Sequence, residues 1–202
     1  MKKYLILISL LIVTLFQSET VQAASGIGTV NIWFGDSHTV GLATANHIPS
    51  KKTAAKVGAG YQWASTSGYS RIAGLLKKKK AAVIVCGFGV NDIADKNVSA
   101  KAAAKKYVHL YKKIHRRFPK TELYFLSINP VTDKYKSPYI SSTQLNKKIK
   151  QFNAYMKKNV HKFDGKYINA RAHIKYGSSA DGLHYDTATY TRIYQYVTGQ
   201  QP

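Results

Sequence analysis

The sequence predicts an α/β fold, a three-layer α/β/α sandwich with a five-stranded, mostly parallel sheet. Three observations carry that prediction. Short apolar runs closed by glycine or proline alternate along the chain with longer segments of helical periodicity. The connections between runs are long enough for crossover helices. Four of the five expected strand ends carry residues suited to chemistry, which is where functional groups gather in such a sheet.

Taken in order, Met1-Lys2-Lys3 is a basic start, Leu5 to Phe16 is almost unbroken apolar sequence, and Val21-Gln22-Ala23 places small residues before a cut. This pattern predicts a secretory signal peptide over residues 1–23, too short to favour a spanning helix. No second long apolar segment follows, so the mature protein is expected to be secreted, without a membrane span. About 180 residues remain, enough for a single domain over 24–202.

The first strand is read at Val30 to Phe34, ending at Gly35, with Thr39 to Ala45 as the first helical turns. Lys56-Val57 is read as a short second strand before Gly58-Ala59-Gly60. A helix is expected from about Ser67 to Leu76, with Ile72, Leu75 and Leu76 facing inward. Ala81 to Cys86 is continuous apolar sequence of strand length and reads as a central strand buried on both faces. Ala104, Val108, Tyr111, Ile114 and Phe118 recur at helical spacing until Pro119 stops them. Glu122 to Ile128 is the next strand. Leu145, Ile149, Phe152, Met156 and Val160 stripe a helix from Ser142, Tyr167 to Ala170 is the last strand, and a final helix runs from about Thr187 to Val197.

Lys and Arg number 31 against 9 Asp and Glu, and they fall in pairs and runs on the expected helices. Such a balance calls for an anionic partner. Nucleic acid would be the default inside a cell, but export argues against it and the tyrosines are scattered rather than set as a stacking platform. Anionic cell-wall polymer or anionic lipid headgroups then become the expected partners. The single cysteine, Cys86, excludes an intramolecular disulfide and reads as a buried thiol. A monomer is expected.

The chemistry centres on Gly35-Asp36-Ser37-His38. A serine between a strand end and a helix start presents its hydroxyl at the sheet edge beside free helical N–H groups, a placement suited to acyl transfer. After the strand ending at Cys86 comes Gly87-Phe88-Gly89-Val90-Asn91-Asp92, where an Asn carboxamide can donate to an oxyanion. After the last strand comes Asp181-Gly182-Leu183-His184. An Asp three residues before a His can hold the ring Nδ1–H and leave Nε2 to take a serine proton. His38 adjoins Ser37, but neighbours on a starting helix point in different directions, so it is not expected to be the base. His173 reads as structural.

These blocks, in this order, resemble the SGNH or GDSL hydrolases over nearly the whole span from Val30 to about Val197. Gly35-Asp36-Ser37 matches the first block, Gly89-Val90-Asn91-Asp92 the third and Asp181-Gly182-Leu183-His184 the last. Lys56-Val57-Gly58-Ala59-Gly60 is a looser match to the second. The resemblance implies a flavodoxin-like fold and a serine esterase needing no metal or organic cofactor. It implies Ser37 as nucleophile, His184 as general base, Asp181 as its orienter, and an oxyanion hole of the Ser37 N–H, the Gly58 N–H and the Asn91 side chain. Two departures stand out. His38 replaces the Leu of the family name, and Gly60 is an alternative donor to Gly58.

The expected function is hydrolysis of small acyl esters, such as acetyl, on carbohydrate or cell-envelope polymer. Alternatives are a lysophospholipase or short-chain lipase, an O-acyltransferase, and a non-enzymatic cationic wall-binding module on a degenerate hydrolase scaffold. Trp33, Trp63, Tyr61 and Tyr69 are candidates for stacking on a sugar, Trp33 being the better fit to a core.

Overall fold

Five strands pair in the order β2-β1-β3-β4-β5, in a computed structural model that describes residues 26–200 except Lys78, Lys80 and Ile174. The expected signal peptide lies outside the described residues. The strands are β1 (Ile32–Gly35), β2 (Thr53–Ala55), β3 (Ala82–Gly87), β4 (Thr121–Leu126) and β5 (Gly165–Ile168), and every pair is parallel. The helices are α1 (Ser37–Ala45), α2 (Tyr61–Trp63), α3 (Tyr69–Leu76), α4 (Val90–Ile93), α5 (Ala100–Arg117), α6 (Ser142–Asn159) and α7 (Thr187–Thr198). A π-helical turn, Ala64–Gly68, joins α2 to α3.

Strand order and handedness together assign the layers. A right-handed crossover stepping from β1 back to β2 puts α1 on one face, while the steps towards β3, β4 and β5 put α3, α5 and α6 on the other. Side-chain packing follows. Ile32, Phe34, Ile84, Cys86 and Phe125 meet Ile72 of α3, Tyr111 of α5 and Phe152 of α6. The intervening strand residues Trp33, Val85 and Tyr124 meet Leu42 of α1 and Ile193 and Val197 of α7. Alternate residues of each strand therefore feed opposite cores, as the two-residue period of a strand requires. Each such side chain, buried in full, contributes roughly 1.5–3 kcal/mol. Phe152, with no exposed surface, is a position where truncation to Ala would cost about 3–5 kcal/mol.

Helix ends follow local chemistry. Ser99 caps α5 by accepting from the Ala102 N–H, and Ser141 with Gln144 forms a reciprocal capping box at the start of α6. Phe118 and Pro119 close α5, as the sequence anticipates.

The second strand differs from expectation. It is Thr53–Ala55, paired to β1, and Lys56 already belongs to the turn, its carbonyl accepting from the Ala59 N–H at 3.2 Å. An edge strand of three small residues carries no apolar run and so leaves no hydrophobic signal, whereas the more hydrophobic Val57 is exposed. Helical structure before α3 also begins earlier than Ser67, at Tyr61. Cys86 is buried in β3, and burial pushes its thiol well above the ordinary range. Trp33 belongs to a core, and Tyr61, Trp63 and Tyr69 pack half-buried against the other.

Candidate active site

The chain turns from β1 into α1 at the point where the sheet changes direction, with β2 reached on one side and β3 on the other. This is the crevice in which open parallel sheets bind ligands. The Asp36 N–H donates to the Gly87 carbonyl at 3.1 Å, tying the end of β1 to the end of β3. The Asp36 carboxylate in turn caps α1, accepting from the His38 N–H at 3.0 Å. Ser37 is thereby held in the first turn of α1, where the helix leaves its N–H without a partner of its own.

A continuous hydrogen-bond chain runs from that serine. His184 Nε2 lies 2.8 Å from Ser37 Oγ, and His184 Nδ1 lies 2.6 Å from Asp181 Oδ2. The other carboxylate oxygen of Asp181 accepts from the Leu183 and His184 N–H groups, both at 2.8 Å, so the loop folds back on its own aspartate. Partial burial pushes the Asp181 carboxyl up, but the bonds from the His184 ring and from the two N–H groups outweigh it and hold it well below the usual carboxylate range. An ionised Asp181 fixes the tautomer in which His184 Nε2 is free to accept the serine proton. The loop is anchored from outside by the Thr132 N–H, which donates to the Gly182 carbonyl at 2.8 Å.

Across the crevice, Asn91 stands in α4. Its amide donates one N–H to the Ala59 carbonyl at 2.9 Å, which leaves the second for a ligand. Gly58 adopts φ +70°, the left-handed region that glycine enters freely, and is exposed with open space where a Cβ would be. Gly60 lies close against Asp92: a Cβ there would come within 2.9 Å of Asp92 Oδ1. Asp92 accepts from the Tyr61 N–H at 2.9 Å and from the Tyr107 hydroxyl at 2.6 Å. It thus links the loop carrying both glycines to α5, a role that its place beside Asn91 in the sequence motif did not disclose.

His38 is not bonded to Ser37. Its Nδ1 is 3.2 Å from the Tyr190 hydroxyl of α7, and its buried Nε2 has no partner among the described residues. The ring lies 5.4 Å from that of His184. Burial, then repulsion from His184, push His38 down to about 4 against the pull of Asp181, so it is neutral at neutral pH. Beside it, burial pushes the Asp36 carboxyl up to about 7; the His38 N–H bond opposes this and the Asp92 charge adds to it. Both groups line a cavity of about 30 Å³ with Leu42, Phe88, Ile128 and Ile193. His173 lies away from this centre, exposed and stacked on Tyr196 with ring centroids 5.0 Å apart.

The chain as a whole also matches a known family. Residues 33–192 match the model of the GDSL-like lipase/acylhydrolase family. The chain belongs to that family. Its members are serine ester hydrolases, and this protein is one by descent. No curated protein sequence matches it. Among solved structures, a Streptococcus pneumonia protein provisionally described as a platelet activating factor aligns with a TM-score of 0.64 at 22% identity, over 88% of this chain and 86% of that one. A carbohydrate esterase family 3 protein from Talaromyces cellulolyticus gives 0.59 at 14% identity, over 83% and 93%. The lipase/acylhydrolase from Enterococcus faecalis gives 0.56 at 16%, over 85% and 98%. At such identities the likeness is one of fold, and the strand order β2-β1-β3-β4-β5 of this GDSL-like hydrolase is that of a flavodoxin-like α/β/α sandwich.

Proposed function

We propose that the protein is an exported serine esterase that removes small acyl groups, acetyl foremost, from carbohydrate or cell-envelope polymer. The observation that carries this reading is the unbroken chain from Ser37 Oγ through His184 to Asp181, at 2.8 and 2.6 Å. Ser37 Oγ attacks the acyl carbonyl as His184 Nε2 takes its proton, and Asp181 stabilises the imidazolium that forms. The oxyanion meets the Ser37 N–H, the Gly58 N–H and the free amide N–H of Asn91, with Gly60 as the alternative backbone donor. His184 then protonates the departing alkoxide. Water, deprotonated by the same imidazole, releases the carboxylic acid and restores Ser37.

One feature supports a small acyl group. Among the described residues the exposed large hydrophobic side chains are only Val57 and Tyr139, too little surface to hold a long acyl chain. No helix among the described residues is long and apolar enough to cross a membrane. The excess of basic residues is taken to draw the protein to anionic polymer of the cell envelope.

Release of p-nitrophenol from acetyl, butyryl and octanoyl esters tests the reading. The expected order of kcat/KM is acetyl above butyryl above octanoyl, with all three lost in Ser37→Ala. Preference for octanoyl would move the assignment to lipid esters.

A further inference from the structure

The basic residues are not spread evenly over the two helical layers. In α5, Lys101, Lys105, Lys112 and Arg116 recur at i, i+4, i+11 and i+15, which places them on one exposed line along the helix. In the neighbouring α6, Lys147, Lys150, Lys157 and Lys158 share the outward face. Neither helix contains an Asp or Glu, and among the described residues none of these cations is paired with a carboxylate. Lysines and arginines one turn apart repel one another, so a face of this kind is relieved by a bound anion. On the opposite layer α1 has no Lys, Arg, Asp or Glu, and α7 has Arg192 alone, bonded to the Lys175 carbonyl at 2.8 Å.

We propose that the outer face of α5 and α6 is a docking surface for a flexible linear polyanion that has no aromatic bases. It deepens the proposed function by naming the surface that meets the envelope polymer, and rests on that reading only for the polymer's presence. Two observations choose this occupant. Tyr61 and Tyr69, which border α5, each have a ring face covered by a lysine of that helix, Lys106 and Lys113, with ammonium to ring-centroid distances of 5.7 and 4.3 Å. Those ring faces are unavailable for stacking on nucleic-acid bases. The exposed large apolar residues, Val57 and Tyr139, lie in the loops after β2 and before α6, so the helical face has none of the insertion residues by which an amphipathic surface enters a lipid interface.

The placement relates the surface to the active site. Both helices follow strands whose carboxyl ends lie at the Ser37 edge of the sheet, so the cationic lines run from that edge to the opposite one. A polymer lying along them ends beside the crevice without covering it. Lys148 is set apart from the surface: its ammonium donates to the carbonyls of Asp95, Lys96 and Val98 at 2.6, 3.2 and 2.9 Å, fastening the loop that leads into α5.

The test is titration of the protein at low salt with long-chain inorganic polyphosphate, with oligo(dT), and with vesicles of equal phosphatidylglycerol and phosphatidylcholine. A variant with Lys105, Lys112, Arg116 and Lys150 changed to Gln is compared with one in which Lys51, Lys52, Lys136 and Lys175 are changed, removing the same charge elsewhere. Polyphosphate should bind tightest, and affinity should fall about tenfold or more in the face variant and less than about threefold in the control. Turnover of p-nitrophenyl acetate, a neutral ester, should stay within about twofold in both, which also reports that they fold. Equal weakening in the two variants would overturn the proposal, as would absence of polyphosphate binding or tighter binding of oligo(dT) or vesicles. Polyphosphate held by the α5–α6 face of a protein that turns over no ester would sustain the surface and sink the esterase reading instead.

Discussion

The layer of α1 and α7 and the layer of α3, α5 and α6 cover opposite faces of the same five strands, yet they present different surfaces. The first is nearly free of formal charge and rich in tyrosine; the second carries lines of lysine and arginine with no acidic relief. The candidate active site divides along the same boundary. Ser37 opens α1 and His184 precedes α7, whereas Asn91 in α4, and Gly58 and Gly60 in the loop after β2, lie on segments that lead into the basic layer. The Ser37–His184–Asp181 chain therefore borders the uncharged layer, while the basic layer is left to face solvent.

The sharpest way to break this division is to disable one side and measure the other. Ser37→Ala and His184→Ala are each expected to lower kcat for p-nitrophenyl acetate by about 10⁴-fold or more, with polyphosphate affinity unchanged. A matching loss of affinity would show that the two layers act as one site. Asp181→Ala should do less damage, roughly 10²- to 10⁴-fold, because Asp181 orients the base and does not itself exchange the proton.

Stability against pH sharpens the comparison within the uncharged layer, where the buried Asp36 stands beside the part-buried His38. Asp36 has a folded pKa of about 7, above the unfolded 3.8, so the native state holds the proton more tightly and stability falls as pH rises from about 4 to 7. His38 has a folded pKa of about 4, below 6.5, so its contribution is present above about 6.5 and is lost as pH falls towards 4. The two slopes oppose each other, which flattens their joint effect. Asp36→Asn, which keeps the helix cap, should expose a rise in stability from pH 4 to 6.5. His38→Leu should expose a fall from pH 4 to 7, and denaturant melts across that range measure both. Each slope spans at most about 3–4 kcal/mol. Two parallel curves would mean that neither group titrates as its burial requires.

The smallest effect is expected on the basic layer. Lys113→Gln removes the ammonium lying 4.3 Å from the Tyr69 ring centroid, worth about 0.5–1 kcal/mol at an exposed site. Relief of repulsion along α5 offsets part of it, and thermal melting should register a shift of a few degrees at most.

What could be read in the sequence depended on how local the signal was. β3, α5 and α6 were legible because a continuous apolar run and a long 3.6-residue stripe are each contained within one segment. β2 was not, since Thr53-Ala54-Ala55 owes its strand conformation to pairing with β1. Asp181 and His184 lie three residues apart and could be paired by inspection, and the structure brings them to Ser37. The bond of Asp92 to Tyr107 and the contact of His38 with Tyr190 join distant segments and left no local trace. Charge segregation was hidden for a related reason. The basic runs were visible one by one, but only strand order and crossover handedness place α5 and α6 together and α1 and α7 opposite them.

The central claim is that Ser37, activated by His184, forms the covalent acyl intermediate. Intact-mass and peptide mapping after brief exposure to a fluorophosphonate ester measures it directly. The account predicts a single adduct on Ser37, abolished in Ser37→Ala and slowed by orders of magnitude in His184→Ala. An adduct on another residue, or ester turnover that persists in Ser37→Ala, would contradict it.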